Sequence, residues 1–86
     1  MAYRIEYTKA AENALRRMNK AIQRRIATRI HSLSDNPRPA GAVKLTGHEA
    51  YRIRVGDYRV IYGIADERLV VLIIEVGHRR EIYREW

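Results

Sequence analysis

Arg52 and Arg54 stand two residues apart, Arg59 follows across the pair Gly56-Asp57, and Gly77-His78-Arg79-Arg80 comes later with Tyr83 close behind. Guanidinium groups present planar forks of N–H donors that match phosphate oxygens, and a tyrosine or histidine beside them carries a transferable proton. Such a set can act on a phosphodiester. It can hold the phosphate, or stabilise the charge that builds up when an oxygen nucleophile attacks it. Of the 17 basic residues in this 86-residue chain, 14 are arginine, against ten acidic residues, for a net charge of +7. Basicity alone fits a solvated surface equally well, so placement has to decide.

Placement follows from the strands. Residues 50–55 alternate Tyr51, Ile53 and Val55 with Arg52 and Arg54, the period of a half-buried strand. Gly56-Asp57 suits a two-residue type II′ turn, which pairs Val55 with Tyr58, Ile53 with Val60, and Arg54 with Arg59. Directly opposed residues share a face with Cβ atoms about 5 Å apart, and like charges there destabilise a sheet. Arg52 lies diagonal to Arg59 on that face, while Tyr51, Ile53, Val55, Tyr58, Val60 and Tyr62 point to the other and read as core. A three-arginine cluster accepted at such a cost implies an anion to be held.

A second hairpin with Asp66-Glu67 as its turn pairs Ile64 with Leu69 and Arg59 with Ile74. That brings Gly77-His78-Arg79-Arg80 back to the Gly56-Asp57 end, with glycine allowing a bend. The run Leu69–Ile74 is wholly apolar and suits a central strand covered on both faces. A one-residue slip would turn the arginines over.

The first half supplies the support. Tyr3, Ile5 and Tyr7 alternate with Arg4 and Glu6 as a strand. Thr8 caps a helix carrying Ala11, Ala14, Leu15 and Met18. Asn19 caps a second, with Ile22, Ile26, Ile30 and Leu33 in one stripe. Asp35-Asn36-Pro37-Arg38-Pro39-Ala40-Gly41 ends it. The expectation is one α+β domain over residues 1–86, in the order β-α-α-β-β-β: a mostly antiparallel, twisted sheet with a helical hairpin on one face. Between Glu12 and Asp35 the charges are all basic. Arg16, Lys20 and Arg24 at i, i+4, i+8 read as a second polyanion contact or as a solvated helix face.

Several classes are excluded or unsupported. The chain has no cysteine, hence no disulfide framework or thiolate metal site, in keeping with a reducing cytoplasm. The charged, alternating start is not a signal peptide, and no run approaches a membrane span. His31 and His48 lack zinc-ligand spacing. Taken singly, His78 and Tyr83 are ordinary packing or surface residues, and Trp86 a rim aromatic or a frayed end.

The segment Tyr51-Arg52-Ile53-Arg54-Val55-Gly56-Asp57-Tyr58-Arg59-Val60-Ile61-Tyr62, followed by Val76-Gly77-His78-Arg79-Arg80-Glu81-Ile82-Tyr83, resembles the RelE family of toxins within the RelE/ParE superfamily of type II toxin–antitoxin systems. The likeness extends to the first strand, the helical hairpin and Asn36-Pro37…Lys44-Leu45-Thr46-Gly47. It implies a RelE-like fold and a ribonuclease that cuts messenger RNA in the ribosomal A site. It implies no metal or other cofactor: the 2′-hydroxyl attacks, leaving a 2′,3′-cyclic phosphate and a 5′-hydroxyl. By the resemblance Arg59, Arg79 and Tyr83 are catalytic, with Arg54, while His78 and Arg80 occupy positions of variable role. Arg52, Lys44, Arg16, Lys20 and Arg24 are the expected phosphate contacts. Tyr83 would take the 2′-OH proton, which requires nearby cations because a free phenol titrates near pH ~10. Arg79 would serve the leaving oxygen, with His78 a rival because an arginine resists deprotonation. The implied partners are an antitoxin protein, the ribosome and messenger RNA, with DNA reached only through the antitoxin, and the expected setting is the cytoplasm. Two other functions fit the same residues: a ParE-like inhibitor of DNA gyrase, and a non-catalytic RNA-binding module.

Overall fold

A computed structural model describes residues 2–80. Strand β1 (Arg4–Tyr7) leads into helix α1 (Lys9–Arg16) and helix α2 (Lys20–Ser32). Strands β2 (Val43–Lys44), β3 (Tyr51–Val55), β4 (Tyr58–Ala65) and β5 (Val70–His78) complete a five-stranded sheet in the order β1-β5-β4-β3-β2. Only β1 and β5 run parallel; the other pairs are antiparallel. The α+β expectation holds, with β2 as an additional edge strand.

The two helices start where their caps dictate. Thr8 Oγ1 accepts from Ala11 N–H at 3.1 Å while its hydroxyl donates to the Ile74 carbonyl at 2.6 Å, so one side chain fixes α1 against β5. Asn19 Oδ1 accepts from Ile22 N–H at 2.9 Å and opens α2. A cap of this kind contributes about 1 kcal/mol. Between the helices lie Arg17, Met18 and Asn19, so Arg16 and Lys20 belong to different helices. The expected i, i+4, i+8 stack of Arg16, Lys20 and Arg24 therefore does not form. Lys20 and Arg24 remain stacked on α2, and Arg16 instead pairs with Glu12 at 3.8 Å.

The main core lies between the helices and one sheet face. Ala11, Ile26, Ile30 and Leu33 meet Ile53, Val60, Tyr62, Val71, Ile73 and Val76 there. Tyr51 and Tyr58 pack at its margin, while Tyr62 is fully buried and donates its hydroxyl to the Pro37 carbonyl at 2.8 Å. On the opposite face Leu45, Ala50 and Ile61 form a small cluster with Ile74 against it. The apolar run of β5 is thus covered fully on the helix side and only partly on the other, where Leu72 and Ile74 are half-buried.

The first hairpin has the expected register, with Val55 opposite Tyr58 and Arg54 opposite Arg59. Gly56 takes φ 60°, the left-handed value that a type II′ turn demands at its first residue. The second hairpin differs. Asp66–Arg68 form a 3-10 turn, Leu69 adopts φ 53°, and the first pair across the connection is Ala65 with Val70. A shift between Ile61 and Tyr62 then leaves Ile74 as an extra residue, so Arg59 lies opposite Gly77 and not Ile74. A longer turn and a bulge together move the register by three residues. On the outer edge, β2 pairs only with Tyr51 and Arg52, leaving Ile53–Val55 as open edge among the described residues.

Candidate phosphodiester site

Alternation along β3 and β4 sends Arg52, Arg54 and Arg59 to the sheet face away from the helices, as the sequence implies. Arg54 and Arg59 are direct cross-strand partners. Gly77, opposite Arg59 on the other side, adds no side chain to crowd it. Arg79 N–H donates to the Asp57 carbonyl at 2.8 Å, which continues the ladder one step past Tyr58 and His78. By that register Arg79 falls on the same face as Gly77 and Arg59. Arg52, Arg54 and Arg59 thus share one face, and the Arg79 backbone is tied beside its Gly56-Asp57 end.

The local electrostatics reflect like charges held close together. Burial pushes the Arg52 guanidinium below its ordinary pKa, and repulsion from Arg54 and Arg59 adds to the effect. Arg52 Nε is buried with no hydrogen-bond partner among the described residues. An unmade hydrogen bond on a charged group costs about 1–3 kcal/mol or more, which a phosphate oxygen accepting from Nε would recover.

Other expected site residues are placed apart. His78 lies opposite Tyr58 on the helix-side face, its ring edge-on to the tyrosine at 5.5 Å, and its Nδ1 accepts from Arg80 N–H at 3.2 Å. The sheet thus separates the His78 side chain from the Arg54/Arg59 face. Lys44 pairs with Tyr51 and so also projects away from Arg52, with Nζ donating to the His48 carbonyl at 3.1 Å. Lys20 and Arg24 are exposed on α2. Arg80 is exposed just past β5. Tyr83 and Trp86 lie outside the described residues. Among the described residues no cluster of three or more His, Cys, Asp or Glu is arranged to hold a metal.

Two arginines escape a reading by strand alternation. The Arg25 guanidinium lies over the β3–β4 turn, its Nη2 3.4 Å from where a Cβ on Gly56 would stand, and Arg29 Nη2 is 3.2 Å from the same point on Gly41. Their i, i+4 spacing on α2 is the signal that would have found them.

Comparisons with known proteins bear on the family and the fold. The family described as the ParE toxin of the type II toxin–antitoxin system parDE matches residues 5–83. The mRNA interferase toxin RelE of Escherichia coli K12 is 30% identical over 90 residues, covering 99% of this chain and 94% of that protein. Toxin RelG of Mycobacterium tuberculosis is 32% identical over 88 residues, with 98% and 99% covered. The RelE–RelB complex of the archaeon Pyrococcus horikoshii superposes with a TM-score of 0.81 at 34% identity, over 92% of this chain and 97% of that one. This chain belongs to the RelE family of type II toxins. The intact RelBE complex of E. coli matches this RelE-family chain with a TM-score of 0.79 at 27% identity, over 90% of this chain and 96% of that one. No helix among the described residues of this RelE-family toxin is long and apolar enough to cross a membrane.

Proposed function

We propose that this toxin is a ribosome-dependent messenger RNA endonuclease, acting in the cytoplasm on the A-site codon and held inactive by a cognate antitoxin protein. Supporting the nuclease are the interferase name of a relative that aligns along nearly the whole chain and the solved complexes of RelE with RelB. The observation that carries it is the opposed Arg54/Arg59 pair with the buried, unpartnered Arg52 Nε beside it.

In the proposed reaction the 2′-hydroxyl of one nucleotide attacks its own 3′-phosphate. The P–O bond to the next nucleotide's 5′-oxygen breaks, leaving a 2′,3′-cyclic phosphate and a 5′-hydroxyl. Arg54 and Arg59 hold the non-bridging oxygens as charge accumulates, with Arg52 donating to the same group. These fixed cations supply the charge stabilisation, so the reading needs no metal ion. Arg79 neutralises the departing 5′-oxygen, and its placement by the Asp57 carbonyl favours it over His78 across the sheet. Tyr83, as the phenolate that neighbouring cations would favour, takes the 2′-proton, and solvent returns a proton to the departing 5′-oxygen. Lys20, Arg24, Arg16 and Lys44 contribute diffuse attraction to RNA.

Translation extracts programmed with a defined messenger test this. Wild type should cut within codons in register, and Arg59→Ala and Tyr83→Phe should each fall at least about a hundredfold. Equal cutting by all three removes the assigned roles. The match to the ParE description supports a second reading, inhibition of DNA gyrase without RNA cleavage. Blocked supercoiling by a chain that leaves messengers whole would establish that one.

A further inference from the structure

Strand β5 stops at His78, and the exposed pair Arg79-Arg80 follows it. Two successive amides are held there. Arg79 N–H still finds an acceptor on the neighbouring hairpin, the Asp57 carbonyl at 2.8 Å. Arg80 N–H has passed the end of the sheet, and its acceptor is Nδ1 of His78, two residues back, at 3.2 Å. Asparagine and aspartate side chains build local turns by this same contact to the second residue on. Here an imidazole makes it. The ring must be neutral, with its proton on Nε2, because a protonated Nδ1 can only donate.

The ring is braced from the other side. His78 lies opposite Tyr58 in register, and the two rings meet edge to face with centroids 5.5 Å apart and planes at 77°. It also borders a cavity of about 500 Å³, which Arg17, Met18 and Val76 help to line. A phenylalanine would serve that packing as well. What it would lack is the acceptor.

Resting on the nuclease reading above, we propose that His78 is a positioning residue, whose Nδ1 fixes the backbone of Arg79 for its work on the departing oxygen. A peptide unit is planar, so a residue's conformation is set by the two planes on either side of its Cα. The Asp57 carbonyl orients the plane before Arg79, and His78 Nδ1 orients the plane after it. Together they fix both soft dihedrals of Arg79, and so the direction in which its side chain leaves. They also fix the point from which the chain continues toward Tyr83. His78 thereby acts through the backbone from the helix side, without touching RNA. A reacting group set slightly off its productive geometry loses rate even when binding is intact.

Three variants of the full chain test this: His78→Phe, His78→Gln and His78→Asn. Phenylalanine keeps a ring against Tyr58 and has no acceptor. Glutamine places its oxygen one atom too far out, whereas asparagine Oδ1 stands where Nδ1 does. In translation extracts His78→Phe and His78→Gln should lose about tenfold in kcat with KM unchanged, because Arg52, Arg54 and Arg59 still hold the phosphate. His78→Asn should cut within about threefold of wild type. Amide hydrogen exchange, which needs no ribosome, should be slowed at Arg80 about three- to tenfold in wild type and His78→Asn relative to the other two. Full activity in folded His78→Phe overturns the proposal. So does a folded His78→Asn as impaired as His78→Phe, which would make the imidazole itself a proton carrier. Losses that track only the fraction of folded protein assign His78 to packing and overturn it too. Arg80 protection in a wild type that never cuts RNA rejects the nuclease reading instead, and His78 then holds a turn and positions no reaction.

Discussion

The two ends of the sheet treat charge in opposite ways. At the β4–β5 connection, Arg38 grips both oxygens of Asp66 at 3.2 and 2.9 Å, Tyr3 donates to the same carboxylate at 2.7 Å, and Arg38 also reaches the Tyr51 hydroxyl at 3.2 Å. The guanidinium lies over the Tyr51 ring, 5.5 Å from its centroid, and Tyr51 stacks on Tyr62. At the β3–β4 turn, arginine faces arginine and the Arg52 Nε is buried without a partner. One end uses its charges to tie β1, the proline segment and the last hairpin together. The other sets like charges side by side on one face. The same residue type ties elements together at one end and crowds against its own kind at the other.

The largest expected effect falls at the recognition end. Arg59→Ala should cut messenger cleavage by about 2.7–4 kcal/mol in transition-state stabilisation, a hundredfold or more. Its melting temperature should change far less than its activity. A variant that loses activity only in step with lost folded protein would erase the contrast between the ends.

Tyr62→Phe probes the cohesive end. The buried Pro37 carbonyl loses its donor, and urea unfolding should report a loss of about 1–3 kcal/mol. Cleavage per folded molecule should be unchanged. Burial raises the Tyr62 phenol to about 12. Stability from this group is therefore complete below pH ~10, the ordinary tyrosine value, and drains away as pH rises toward about 12. Absorbance titration of the phenolates should lose its latest step, toward pH about 12, in Tyr62→Phe.

Asp66→Asn should produce the smallest change. Arg38, and secondly Tyr3, hold the Asp66 carboxyl below its usual range. A lowered folded-state pKa contributes stability above the unfolded aspartate value of ~3.9 and loses it as pH falls through the folded value. The group is exposed, so solvent screens much of it. Melting temperatures of wild type and Asp66→Asn should differ at neutral pH and converge in acid. A constant gap at every pH would mean that the carboxylate is not what the substitution removed.

The two hairpins also divide what the sequence made legible. Gly56-Asp57 is a two-residue turn, and two-residue turns fix register, so the Arg54/Arg59 opposition follows from residue types alone. Asp66-Glu67 looks like another, but the connection takes Arg68 into a 3-10 turn and Leu69 into a left-handed conformation that branched L-residues seldom adopt. The extra residue Ile74 sits in an unbroken apolar run, where alternation carries no information on which side chains face the helices. Hence His78 and Arg59 appear to share a face when the register is counted from the turn, and the sheet parts them. The two-residue β2 is too short for periodicity to register. The cavity beside Arg17 joins residues from α1, its turn and two strands, a juxtaposition that no local pattern encodes.

The open stretch of β3 has a consequence for the protein's own solubility. Among the described residues, no strand pairs with the outer side of Ile53–Val55, a border on which a second copy could add its strand. Any two copies meeting there would bring their Arg52 and Arg54 side chains together. The groups that attract nucleic acid thereby also repel their own kind, and keep a vulnerable border from zipping molecules into aggregates.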